Sequence, residues 1–145
     1  MRQARTGLDI ETAGQGFYEF TDRIRNFVGG EGIKMGLLTV FLHHTSASLM
    51  IQENADPTVQ DDFLSFFKRL VPEDGKSYTH GYEGPDDMPA HIKSALTTVQ
   101  LSIPVADGRP DLGTWQGVYL VEHRYRPHRR RVTLHLIGDG DAPRR

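Results

Sequence analysis

The run Leu37–Leu42 (Leu-Leu-Thr-Val-Phe-Leu) constrains the fold of this 145-residue chain more than any other segment. It favours β structure and is almost wholly apolar, so it reads as a strand in the middle of a sheet. Partners for it are easy to find. Thr6–Thr12 alternates Leu8 and Ile10 against Asp9 and Glu11, and Phe17–Phe20 follows the turn Gly14-Gln15-Gly16, which together predict an opening hairpin. Ser48–Gln52 and Val99–Val105 read as further strands, Pro104 marking an edge or an end. Thr114–Glu122 and Arg131–Ile137 alternate cleanly, and the basic stretch 124–131 between them is expected to be a hairpin loop.

Helices are expected in three places. Thr21 suits an N-cap for a short helix over 22–29. Asp56 and Pro57 open a second, whose stripe Val59, Phe63, Phe66, Phe67 and Leu70 is expected to be core. Asp86 or Asp87, with Pro89, opens a third that carries His91 in its first turn. Seven or eight strands cluster toward both ends with helices between them, which points to an α+β fold. No repeat or second domain is visible, so residues 1–145 are expected to form a single domain, with 138–145 as a polar tail.

Composition removes several function classes. With no cysteine there is no disulfide framework, thiolate nucleophile or cysteine zinc site, which fits a cytoplasmic setting. The first residues lack the apolar stretch of a signal peptide, and no apolar run is long enough to span a bilayer. A net charge of −2 gives no general pull toward nucleic acid. The basic run Arg124–Arg131 has two readings, a solvated loop or an anion site in which arginine forks grip phosphate oxygens.

Three histidines stand in surroundings that suit chemistry. His44 leads into Thr45-Ser46-Ala47-Ser48, His80 lies in a long polar loop over 72–87, and His91 follows Asp86-Asp87. Neutral imidazole is the commonest metal ligand and a good proton carrier near neutral pH. His44, His80 and His91 are therefore the candidate ligands of a divalent ion, zinc or magnesium, and three ligands plus an open position is the catalytic pattern. His43 is expected to face away from His44 on a strand. Around these residues, Glu53 and Asp87 are candidates for general base or for orienting a ligand, and His44 could itself move protons. Thr45 and Ser46 form a small-residue turn where backbone can approach a ligand. Asn54 reads as either a turn residue or a binding group, and Lys93 as either solvated or a counter-charge for an anion. Trp115 and Gln116, in Gly113-Thr114-Trp115-Gln116-Gly117, read as either core packing or the wall of a ring-sized pocket. His123, His128 and His135 carry no such context. Ser46 and Ser48 lack the Gly-x-Ser-x-Gly setting of a serine hydrolase.

Taken as an ordered set, several blocks resemble the YjbQ-like family of small uncharacterised proteins, also labelled secondary thiamine-phosphate synthases. They are His44-Thr45-Ser46-Ala47-Ser48-Leu49, Glu53-Asn54-Ala55-Asp56-Pro57, His80-Gly81 with Glu83-Gly84, Ala90-His91-Ile92-Lys93, and Leu112-Gly113-Thr114-Trp115-Gln116-Gly117. The resemblance runs from about Thr6 to Ile137. It implies an α+β sandwich of mostly antiparallel strands, a homotrimer, and a histidine-lined polar site near subunit contacts. It also implies a thiamine-phosphate synthase activity, in which a thiazole phosphate displaces pyrophosphate from a hydroxymethylpyrimidine diphosphate. The substrate would then be a phosphorylated small molecule. A non-enzymatic trimer that holds a metal or small anion is the rival reading. The block Glu83–His91 departs from the family pattern by carrying Pro85 and Pro89.

Overall fold

The computed structural model describes residues 1–140. Among them, eight strands and three helices follow in the order β1 (Arg2–Glu11), β2 (Gly16–Glu19), α1 (Thr21–Gly30), β3 (Ile33–Leu42), β4 (Ala47–Glu53), α2 (Pro57–Leu70), α3 (Asp87–Leu96), β5 (Gln100–Ala106), β6 (Arg109–Pro110), β7 (Gln116–Glu122) and β8 (Arg129–Gly140). The strands form two antiparallel sheets, one of five strands in the order β1-β8-β3-β5-β6 and one of three in the order β2-β7-β4. The fold is α+β, as the distribution of strands and helices along the chain predicts.

The apolar run Leu37–Leu42 lies at the centre of the larger sheet, with β3 between β8 and β5. Only one of its faces is covered. Leu38, Val40 and Leu42 are buried, and they pair across the sheet with Leu136, Leu134 and Val132. Leu37 and Phe41, on the opposite face, are 43% and 41% exposed. The inner face packs against Ala47, Leu49, Val118 and Leu120 of the smaller sheet and against Ile24 and Val28 of α1 in one buried cluster. Each fully buried Leu, Ile or Val there contributes about 1.5–3 kcal/mol against chain entropy.

Four expectations need correction. The first two strands do not form a hairpin: β1 pairs with β8 and β2 pairs with β7, in different sheets. The last two long strands are not a hairpin either, because β7 and β8 belong to opposite sheets and the basic run crosses between them. The aromatic stripe of α2 is only partly core. Phe67 is buried, and Phe63 packs on Phe17 at 6.0 Å, but Phe66 and Leu70 are about half exposed. That helix lies on the outer face of a three-stranded sheet, too narrow to cover the whole stripe. Residues 138–140 continue β8 rather than beginning a tail, and 141–145 lie outside the described residues.

Local signals fared better at helix starts. Asp56 caps α2 by accepting from the Thr58 backbone N–H at 2.9 Å, with Pro57 at the first helical position. Thr21, however, is inside α1. Its hydroxyl donates to Glu19 Oε2 at 2.7 Å and accepts from the Val118 N–H at 2.9 Å, stitching the helix to the smaller sheet.

Candidate metal centre

The loop between α2 and α3 is shaped by short-range hydrogen bonds. Asp74 accepts from the backbone N–H groups of Lys76 and Ser77 at 2.9 and 3.0 Å, and Ser77 Oγ donates to its other oxygen. The Ser77 side-chain bond and the two backbone bonds hold the Asp74 pKa down to about 2. Gly75 and Gly84 take positive φ at the bends. The loop delivers His80 to the start of α3. Asp87 is the first residue of that helix, where the dipole favours a carboxylate, and His91 is one turn further along the same face. His91 thus opens the second turn, not the first.

His80, Asp87 and His91 converge, each offering a ligand atom within 4.8 Å of the others. His80 Nε2 lies 2.7 Å from Asp87 Oδ2, and His91 Nε2 lies 3.4 Å from the same oxygen. The two rings meet edge to face, with centroids 5.6 Å apart. On its far side His91 Nδ1 is 2.9 Å from the Thr45 carbonyl, which only accepts, so Nδ1 carries the proton. That bond leaves Nε2, turned toward the Asp87 carboxylate, as the ring atom a cation would take. Ligands about 2.1 Å from a tetrahedral zinc lie roughly 3.4 Å apart, matching the His91–Asp87 spacing. The His80–Asp87 contact, at 2.7 Å, must open by about 0.7 Å.

Asp87 itself is buried. Its Oδ1 accepts from Arg124 Nη1 at 2.8 Å, while Arg124 Nε donates to Asp86 Oδ2 at 2.9 Å and Nη2 to the Glu83 carbonyl at 2.8 Å. Two cavities flank the trio. One of about 620 Å³ borders His91 and is lined by Phe41, His43, His44, Thr45, Ser94 and Thr98 among others. One of about 210 Å³ borders His80, Tyr78 and Met88.

His44 stands apart from the cluster. Its Nε2 accepts from the Arg131 backbone N–H at 2.8 Å and its Nδ1 faces Arg130 at 3.4 Å. Burial first, then the Arg130 charge, lower its pKa. Both nitrogens are engaged, so the ring braces β8 and lines the larger cavity. Ser46 Oγ accepts from Arg130 Nη2 at 3.0 Å, and Thr45 contributes its carbonyl to His91. Lys93 is buried with its ammonium 3.1 Å from Glu73, so its charge is already balanced.

The remaining sequence candidates gather elsewhere. Glu53 ends β4 six residues beyond Ala47, about 20 Å along the strand from the Thr45–Ser46 turn. There the Asn54 N–H donates to the Trp115 carbonyl at 2.9 Å, and Gln116 Oε1 accepts from the Gly113 N–H at 2.7 Å. A Cβ on Gly117 would stand 2.7 Å from Glu19 Oε2, which explains the glycine. This block is a folded corner, from which Trp115 projects 63% exposed, and no described side chain links it to the histidines. Within it Glu53 keeps one buried carboxylate oxygen without a partner among the described residues.

Two arginines of the basic run fit neither the solvated-loop nor the anion-site reading. Arg124 and Arg130 are buried, the first on Asp86 and Asp87, the second on Glu122 through Nε at 2.8 Å and through Nη2. Neither is a free anion receptor. His123 is buried too, its Nε2 2.9 Å from Ser48 Oγ. Burial, then the charges of Lys93 and Arg130, push its pKa down to about 3. The one legible signal for Asp87 as a ligand was its spacing of four residues from His91 on a helix; Arg124 and His123 left no local signal.

The profile described as UPF0047 protein YjbQ-like matches residues 6–139. The chain belongs to this YjbQ-like family. It is 55% identical to UPF0047 protein sll1880 of Synechocystis over 138 residues, covering 95% of this chain and 94% of that protein. It is 46% identical to UPF0047 protein YjbQ of Escherichia coli O157:H7, covering 91% and 96%. Among solved structures, the conserved hypothetical protein TT1486 from Thermus thermophilus superposes with a TM-score of 0.81 at 36% identity, over 91% of this chain and 99% of that one. YjbQ-like relatives thus share the fold described above over nearly its whole length. No helix among the described residues is long and apolar enough to cross a membrane.

Proposed function

We propose that His80, Asp87 and His91 form a divalent-metal centre with an open side, serving hydrolytic or group-transfer chemistry on a small molecule. The observation that carries this is the convergence of His80 Nε2 and His91 Nε2 on Asp87 Oδ2, at 2.7 and 3.4 Å. Two imidazoles and one carboxylate oxygen suit zinc better than magnesium, which prefers oxygen and water. A divalent ion there would supply Lewis-acid polarisation to an oxygen group of the substrate. The chain's own residues do the rest. Thr45 fixes the His91 ring, Arg124 fixes Asp87, and the larger cavity admits an organic group beside His91.

Thiamine-phosphate synthase activity, implied by the family resemblance, requires counter-charge for a diphosphate leaving group. Lys93, Arg124 and Arg130 are each spent on carboxylates, and among the described residues no Lys, Arg, Asp or Glu lines the larger cavity. A phosphorylated substrate would therefore place its charge on the metal itself. This favours a metal-centred reaction over a cationic diphosphate cradle. The homotrimer belongs to the same proposal, supported by the exposed Met35, Leu37 and Phe41 on one face of β3, and so does a cytoplasmic setting. One contiguous buried cluster supports reading 1–145 as a single domain.

Zinc titration followed by imidazole nitrogen NMR tests the proposal. Nε2 resonances of His80 and His91 should shift on metal addition and those of His44 should not; no shift at His91 would end the metal reading. An exogenous anion that displaces a ligand on the loaded protein supports the enzyme, and a saturated site that admits none supports the non-enzymatic module.

A further inference from the structure

We infer that Arg124 is a positioning residue that holds Asp87 to one outward oxygen and thereby sets which metals the centre accepts. This rests on the metal-centre reading above. The two Asp87 oxygens have divided roles. Oδ1 is taken by Arg124 Nη1 at 2.8 Å, and Oδ2 alone faces His80 and His91. Arg124 cannot swing aside, because Nε is held by Asp86 Oδ2 at 2.9 Å and Nη2 by the Glu83 carbonyl at 2.8 Å. Asp86 is itself fixed, since the same oxygen accepts from the Tyr125 N–H at 2.9 Å. The planar fork spans three acceptors on the loop before α3 and on its first turn, which an ammonium on a flexible stem cannot reproduce.

The consequence is coordination number. Calcium takes six to eight oxygens and commonly both oxygens of a carboxylate. Zinc is satisfied by one carboxylate oxygen and two imidazoles in a tetrahedral site. With Oδ1 committed to the fork, Asp87 cannot rotate to offer a bidentate edge, so the site is closed to ions that need one. Outer partners of this kind typically change metal affinity by about 10–100-fold when removed.

Arg124→Lys in the full chain tests this, because it keeps the positive charge beside Asp86 and Asp87 and loses the fork. Zinc and calcium affinities are read by competition with a chromophoric chelator, and geometry from the visible spectrum of the cobalt-loaded protein. The expected result is a zinc affinity about 10–100-fold lower, a narrower zinc-over-calcium preference, and weaker cobalt bands as Asp87 becomes bidentate. Asp86→Asn, which weakens the grip on Nε, should move the same readouts less far and serves if Arg124→Lys does not fold. Unchanged affinity, preference and cobalt spectrum in a folded variant would overturn the role of Arg124 while leaving the centre intact. A wild-type protein that takes up neither zinc nor cobalt would overturn the centre, and this inference with it.

Discussion

Replacing His123 by Gln should flatten the acid side of the stability profile. The ring is buried between Ser48 and Phe67, with its Nε2 2.9 Å from Ser48 Oγ and its plane edge-on to the Phe67 ring at 6.0 Å. Burial, reinforced by Lys93 and Arg130, holds its pKa near 3 against 6.5 in the unfolded chain. A folded pKa lowered in this way means that between about pH 6.5 and 3 the unfolded chain binds a proton that the folded one does not. Stability therefore falls as pH drops through that window and is fully retained above it. At pH 5 the loss from this one ring is about 2 kcal/mol, from 1.36 kcal/mol per pH unit over the roughly 1.5 units below 6.5. Urea unfolding at pH 7.5 and pH 5 measures it in both proteins. The wild type should lose about 2 kcal/mol more than His123→Gln across that step, since contributions from His44 and the other titrating groups are common to both. Equal losses in the two proteins would refute the assignment of a neutral, desolvated His123.

Three further outcomes follow from the packing and from the proposed centre. Phe67→Ala should cost about 3–5 kcal/mol in urea unfolding, whereas Phe66→Ala, on the exposed side of the same helix, should cost under about 1 kcal/mol. Arg130→Met should cost about 3–5 kcal/mol near neutral pH, because Glu122 would be left buried without its guanidinium. Zinc at about a hundred times its dissociation constant should raise the unfolding free energy by about 2.7 kcal/mol, read as a higher thermal midpoint that His91→Ala abolishes.

The strands and helix starts were legible because they are written locally, in the alternation of Val118, Leu120, Val132, Leu134 and Leu136 and in the pair Asp56-Pro57. Strand pairing was not. The segment 124–131 looks like a hairpin loop by length and polarity, yet two of its arginines are buried against Glu122, Asp86 and Asp87, so the chain crosses from one sheet to the other there. A helical stripe such as Phe63, Phe66, Phe67 and Leu70 marks a face without saying how much of that face a narrow sheet covers.

The site was legible in its residue types and not in its grouping. His80 and His91 converge as expected, but the third group beside them is Asp87, whose spacing from His91 on α3 is the signal. His44 stands out in the sequence for its neighbours, but its ring is consumed by the Arg131 N–H and Arg130. Glu53, Asn54, Trp115 and Gln116 form their own corner at the far end of β4, a separation that the length of that strand already implied.

The most direct test of the metal centre is elemental analysis of untagged protein after zinc loading and dialysis, run on the wild type, His91→Ala, Asp87→Asn and His44→Gln. The geometry predicts about one zinc per chain in the wild type and in His44→Gln, and its loss in His91→Ala and Asp87→Asn. A wild type without metal, or full zinc retained in His91→Ala, would contradict it.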